Sequence, residues 1–242
     1  MNIIVGNWKM NPGTLEEARR LASQIEHGLL SVARERVETV LCPPHIFLPA
    51  TRPLLHFAKL GAQNVASDLS GPYTGEISVK QLKEFNVDYV IVGHSERRAL
   101  AETDKMINSK VKLALKEGIK PILCVGFGIK KDYANVRVKQ VIKSQIRAGF
   151  AGVTSKSKIL VAYEPVWAIS GGLGTGKAVT LKHAREITDF IKSQVTGAQV
   201  IYGGSLDAKN AAGFAKMGIG GGLVGGASLE AQDFLKIIKA FS

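Results

Sequence analysis

The chain has 242 residues, with 32 Lys and Arg against 20 Asp and Glu, a net charge of +12, and 45% apolar against 21% charged residues. These proportions exclude a disordered or low-complexity chain, and the length is enough to bury a large core. Barrels and large sandwiches of about 200 to 250 residues commonly form one domain, so residues 1–242 are expected to fold as a single unit.

In chain order, short apolar runs of strand length alternate with longer amphipathic stretches. The runs are Ile3–Val5, Val37–Leu41, Leu60–Val65, Tyr89–Val92, Pro121–Val125, Ile159–Ala162, Gln199–Ile201 and the glycine-rich Gly222–Val224. The stretch after the first run predicts a helix over Thr14–Leu30. Thr14 can cap it, Glu16 and Glu17 suit its first turn, and Leu15, Ala18, Leu21, Ala22 and Ile25 repeat at helical spacing. Val138, Val141, Ile142 and Ile146 make a similar stripe after the fifth run. Strands that are apolar along their length need cover on both faces, and parallel neighbours need crossover helices. Eight units of about 30 residues each therefore predict an α/β fold, a closed (β/α)8 barrel, with an open doubly wound sheet as the alternative.

Cys42 and Cys124 lie on separate apolar runs, which predicts buried free thiols instead of a disulfide framework or metal clip. The first residues reach Asn7 and Lys9 too soon for a secretory leader, and no apolar run approaches the ~18 residues of a membrane span. A cytoplasmic protein is expected.

In a barrel the polar residues at strand ends carry function. Asn7-Trp8-Lys9 puts an amide and an ammonium two residues apart, on one side of an extended chain, where they can jointly hold an anion. Gly93-His94-Ser95-Glu96 follows the fourth run, with Ser95 as the expected helix N-cap. The positive end of that helix beside His94 favours a neutral imidazole that donates a hydrogen bond. After the sixth run Pro165 ends the strand and leaves Glu164 at the mouth, placed to act as a general base. Each residue alone reads more readily as a solvated loop side chain; a barrel would gather all three on one rim.

Glycines accumulate late in the chain, four within 171–176 and ten within 197–226, including Gly203-Gly204-Ser205 and Gly225-Gly226. Backbone N–H groups in such loops can approach a phosphate closely. Gly171–Lys177 also fits a nucleotide-binding loop, but Ala178 replaces the Ser or Thr that would meet magnesium, so a glycine-rich lid is the preferred reading.

Six segments together resemble the triosephosphate isomerase family: Asn7 to Asn11, Thr74 to Ser78, Val92 to Arg98, Ala162 to Ile169, Tyr202 to Ser205 and Leu223 to Leu229. The resemblance spans the chain in order. It implies a TIM barrel that interconverts dihydroxyacetone phosphate and glyceraldehyde 3-phosphate without metal or organic cofactor. It further implies Glu164 as base, His94 as neutral electrophile, and Lys9 and Asn7 as stabilisers of the enediolate. Glu96 would hold Lys9, and N–H groups near Ser205, Gly225 and Gly226 would hold the phosphate. Pro165, Val166, Trp167 and Lys177 would belong to a lid, and Thr74 to a loop that enters the active site of a second copy in a homodimer.

Two departures from the family pattern concern the lid. Four residues are inserted around Ser170 to Leu173, so counting from Glu164 gives Ser170 as the lid's phosphate-facing amide, whereas aligning Gly174-Thr175-Gly176-Lys177 gives Gly174, which is the choice. A carboxylate after the fifth strand is replaced by Phe127, near which Trp167 is expected to pack. The excess charge is partly local: residues 130–158 hold eight basic residues and one acid, Asp132. Arg137, Lys143 and Arg147 lie off the apolar stripe and should form a solvated face. A nucleic-acid partner is disfavoured, because interleaved aromatics and a recognised motif are absent. An inactive scaffold and another phosphate-binding isomerase of the same fold are the remaining alternatives.

Overall fold

The computed structural model describes residues 1–154, 159–169, 176 and 178–242. Eight strands, β1 (Asn2–Asn7), β2 (Val37–Cys42), β3 (Lys59–Ala62), β4 (Tyr89–Val92), β5 (Lys120–Val125), β6 (Leu160–Tyr163), β7 (Gln199–Tyr202) and β8 (Gly221–Val224), each pair in parallel with the next. β8 returns to β1, with Ile3 opposite Gly221 and Gly6 opposite Val224, which closes the barrel and excludes an open sheet. The helices among the described residues are α1 (Leu15–Gly28), α2 (Leu48–Thr51), α3 (Val79–Glu84), α4 (Ser95–Ala99), α5 (Asp104–Lys116), α6 (Asn135–Gly149), α7 (Leu181–Gln194), α8 (Ala211–Lys216) and α9 (Ala231–Phe241).

Strand alternation sorts the apolar residues into two layers. Ile3, Val5, Val40, Cys42, Tyr89, Ile91, Ile122, Cys124, Leu160, Ala162, Ile201 and Leu223 fill the barrel. Residues of opposite parity, such as Ile4, Leu41, Val90, Leu123, Val161 and Val200, pack outward with the helices. Both cysteines are buried free thiols, and burial pushes each thiol well above its usual range. No helix among the described residues is long and apolar enough to cross a membrane.

Thr14 caps α1 in a capping box, its hydroxyl accepting the Glu17 N–H while the Glu17 carboxylate accepts the Thr14 N–H. Ala18, Leu21, Ala22 and Ile25 are buried, but Leu15 stays exposed because it opens the first turn, ahead of the seam. On α6, Val138, Ile142 and Ile146 are buried, Val141 packs beside them, and Arg137, Lys143 and Arg147 face solvent as expected. The third apolar run differs: β3 ends at Ala62, and residues 63–65 have left the sheet. The Gln63 amide donates instead to the carbonyls of Lys9 and Cys42, at 2.8 and 2.9 Å.

Candidate active site

The inward parity of the strands reaches the last paired residue of β1 and one residue beyond β6. On β1 it runs Ile3, Val5, Asn7; on β6, Leu160, Ala162, Glu164. Asn7 and Glu164 are thereby delivered to the same mouth, 5% and 1% exposed. The neighbours of β6 carry glycine at the matching level, because Val125 and Tyr202 both pair with Tyr163. A Cβ at Gly126 would stand 2.3 Å from Glu164 O, and one at Gly203 would stand 2.9 Å from Glu164 Cγ. The missing side chains make room, at Gly126 for the Glu164 backbone and at Gly203 for its carboxylate arm. Beneath it lies the Cys124 thiol, kept protonated first by burial and then by the Glu164 charge.

Ser95 does not cap α4. His94 takes the N-cap position and its Nδ1 accepts the Glu96 N–H at 3.2 Å, while the Ser95 N–H is drawn to Glu164 Oε2 at 2.9 Å. Accepting that bond requires the Nδ1 lone pair, which puts the ring proton of a neutral imidazole on Nε2. Nε2 lies 3.3 Å from Glu164 Oε1 and 3.5 Å from Asn7 Nδ2. The second contact, between two nitrogens at the outer limit of hydrogen bonding, does not outweigh the first two. Although close to His94, Glu164 Oε1 is buried without a well-formed hydrogen bond.

Lys9 adopts a positive φ of 53°, a conformation that a non-glycine residue holds only when its surroundings impose it. The Lys9 N–H donates to Asn7 Oδ1 at 3.0 Å and its carbonyl accepts from Gln63. Its ammonium meets Glu96 Oε1 at 2.7 Å. Gln63 lies inside the run Leu60–Val65, which masks this role in the sequence; its signal is that it is the first polar residue beyond β3.

Asn7, Lys9 and His94 line a cavity of about 310 Å³ with Ile169, Gly176, Ser205, Leu223, Gly225 and Gly226. The glycine-rich ends of β7 and β8 therefore share one space with the polar residues of β1 and β4. The Ser205 N–H donates to Ala168 O at 2.9 Å, joining this rim to the short turn Val166–Ala168. A second cavity, about 270 Å³, adjoins the first through Asn7, Lys9 and His94 and opens between His45, Gln63, Gly75, Glu76 and Arg97. Thr74 is exposed beside it.

Pro165, Val166 and Trp167 follow Glu164 directly, and Gly176 N–H meets Ile169 O at 3.3 Å. Gly174, Lys177, the insertion at 170–173 and thus the Gly171–Lys177 motif lie outside the described residues. Trp167 makes a ring contact with His183, with centroids 6.2 Å apart and planes at 66°. Among the described residues no three or more His, Cys, Asp or Glu side chains are grouped to hold a metal ion.

The family model of triosephosphate isomerase matches residues 2–241. Similar relatives are the triosephosphate isomerases of Alkaliphilus oremlandii, 42% identical over 98% of each chain, and Bacteroides fragilis, 41% identical over 100% of this chain and 99% of the relative. That of Methylococcus capsulatus is 41% identical over 99% of this chain and 98% of its own.

Proposed function

The chain belongs to the triosephosphate isomerase family, and from that membership we propose a mechanism residue by residue. The protein is an isomerase that interconverts dihydroxyacetone phosphate and glyceraldehyde 3-phosphate, a reaction of glycolysis and gluconeogenesis. Glu164 takes a proton from the carbon next to the carbonyl and returns it to the adjacent carbon. His94 donates from Nε2 to the carbonyl oxygen and moves a proton between the two oxygens as a neutral imidazole, an arrangement for which this family is a standard example. Lys9 and Asn7 stabilise the enediolate charge, and Glu96 holds the Lys9 ammonium.

The observation that carries this reading is the state of Glu164 Oε1. A buried carboxylate oxygen without a well-formed partner costs about 1–3 kcal/mol, so this carboxylate gains by turning toward a substrate proton 3 Å or so from His94 Nε2.

Ser205, Gly225 and Gly226 hold the phosphate by backbone N–H groups, with Gly174 contributing from the lid. Binding there draws the Ser205 N–H from Ala168 O, which couples the phosphate end to the turn after Glu164. The chain works as one domain over 1–242, in the cytoplasm, without a cofactor and without nucleic acid as a partner. A homodimer completes the site. Met10, Ile46 and Leu100 are 93%, 79% and 73% exposed and adjoin in sequence the segments that line the second cavity. Such apolar exposure suits burial against a second copy, whose Thr74 loop would enter that cavity.

The test is turnover of glyceraldehyde 3-phosphate by the protein and by Glu164→Gln, with methylglyoxal measured alongside. Loss of about 10²–10⁴-fold in kcat in the folded variant is expected. No turnover by the folded wild-type protein would overturn the assignment.

A further inference from the structure

We propose that His183 is a positioning residue for the isomerisation, whose imidazole clamps the side chains on both sides of Glu164 and so fixes where the carboxylate stands. The proposal rests on Glu164 being the base. Tyr163 precedes Glu164 and Trp167 lies three residues after it. Tyr163 points outward from the barrel, fully buried, and its hydroxyl is 3.1 Å from His183 Nε2. The same imidazole meets Trp167 edge-on at 6.2 Å. The His183 backbone is fixed, because Thr180 caps α7 by accepting the His183 N–H at 3.2 Å.

The Trp167 ring packs only partly buried against the core. A cavity of about 450 Å³ borders it, shared with Tyr133, Val138, Val179 and His183. This volume is large enough for an aromatic side chain to move into, and the contact with His183 is one of those that hold the ring where it rests. The place matters because the Trp167 turn carries Ala168, whose carbonyl accepts the Ser205 N–H at 2.9 Å. A displaced indole would shift both the base and the phosphate end of the site.

The contact is sensitive to protonation. Facing His183 are Tyr163 from β6, Lys131 and Tyr133 from the loop after β5, and Lys182 and Glu186 on its own helix, with Lys139 of α6 paired to Glu186 at 2.7 Å. Burial lowers the His183 pKa, with Glu186 opposing, and burial raises that of Tyr163. At neutral pH the Tyr163 O–H therefore donates to an uncharged Nε2. Protonation forces that bond to reverse and puts a charge beside the indole.

His183→Gln tests the proposal, with Tyr163→Phe as a second variant should the first fail to fold. Steady-state rates and methylglyoxal are measured from pH 8 to pH 5. Emission is read in a Trp8→Phe background, where Trp167 is the remaining one of the chain's 2 tryptophans. Expected are a loss of about tenfold or more in kcat with KM raised by about threefold or more as the phosphate end shifts, more methylglyoxal per turnover, and an acid step in Trp167 emission that His183→Gln lacks. A variant that melts earlier yet keeps kcat, its pH profile and the emission step would overturn the proposal, as would a wild-type emission without a step. Absence of turnover in the folded wild type would overturn the isomerase reading instead, while the emission step would still report the contact.

Discussion

Gly203→Ala is the sharpest probe of how the barrel frames Glu164. The added methyl would lie 2.9 Å from Glu164 Cγ and 3.2 Å from Tyr163 O, whereas carbon atoms rest at about 3.5–4.0 Å. Tyr163 O cannot yield, because it accepts the Gly203 N–H at 2.7 Å. The carboxylate arm must therefore move by roughly 0.5–1 Å, and a misplacement of that size costs on the order of 10²-fold in rate, about 2.7 kcal/mol of transition-state stabilisation. Overpacking should remove a further 1–3 kcal/mol or so of folding stability. KM should change little, since Ser205, Gly225 and Gly226 are untouched. Steady-state kinetics with thermal melts checks both numbers, using Gly13→Ala as a control because the nearest atom to its new methyl is 3.8 Å away. A folded Gly203→Ala protein with kcat within about threefold of wild type would refute the reasoning, since that is under 1 kcal/mol on the scale used here.

Lys110 and Glu102 form an ion pair with both side chains 1% exposed, and the ammonium also donates to Asn64 Oδ1 at 2.8 Å. Lys110→Met should destabilise by about 3–5 kcal/mol by stranding the carboxylate, while adding Glu102→Leu should restore most of it; denaturant melts of the single and double variants decide. His45 is a separate pH element: burial lowers its pKa in the folded state, with the Asn64 carbonyl and Glu76 opposing. As pH falls through the unfolded value near about 6.5, the unfolded chain binds a proton that the folded one refuses, so stability drops, levelling off below the folded pKa. His183 adds a drop of the same sign. Thermal melts between pH 7.5 and pH 5 should show a shallower fall for His45→Asn than for wild type, and parallel curves would contradict the assignment.

What the sequence reveals follows from the period of a strand. Ile3, Val5, Asn7 and Leu160, Ala162, Glu164 are single series of alternate residues, so the barrel and two of its polar tips can be read together without knowing any contact. His94 breaks that parity. It reaches the mouth by capping α4, and a hydroxyl at Ser95 was the expected cap because propensity rules score the side chain and ignore competing acceptors. The Ser95 N–H had a better use: it binds the very carboxylate that the strand pattern places opposite. The contacts of Gly126 and Gly203 with Glu164 are hidden for a different reason, since each acts across strand register by leaving space for a neighbouring strand's residue, which leaves no mark in its own segment. The same holds for His183, whose partners Tyr163 and Trp167 are twenty and sixteen residues away. The pattern of side chains thus locates the reacting groups, while the groups that set their positions are found only once neighbouring strands and helices are in place.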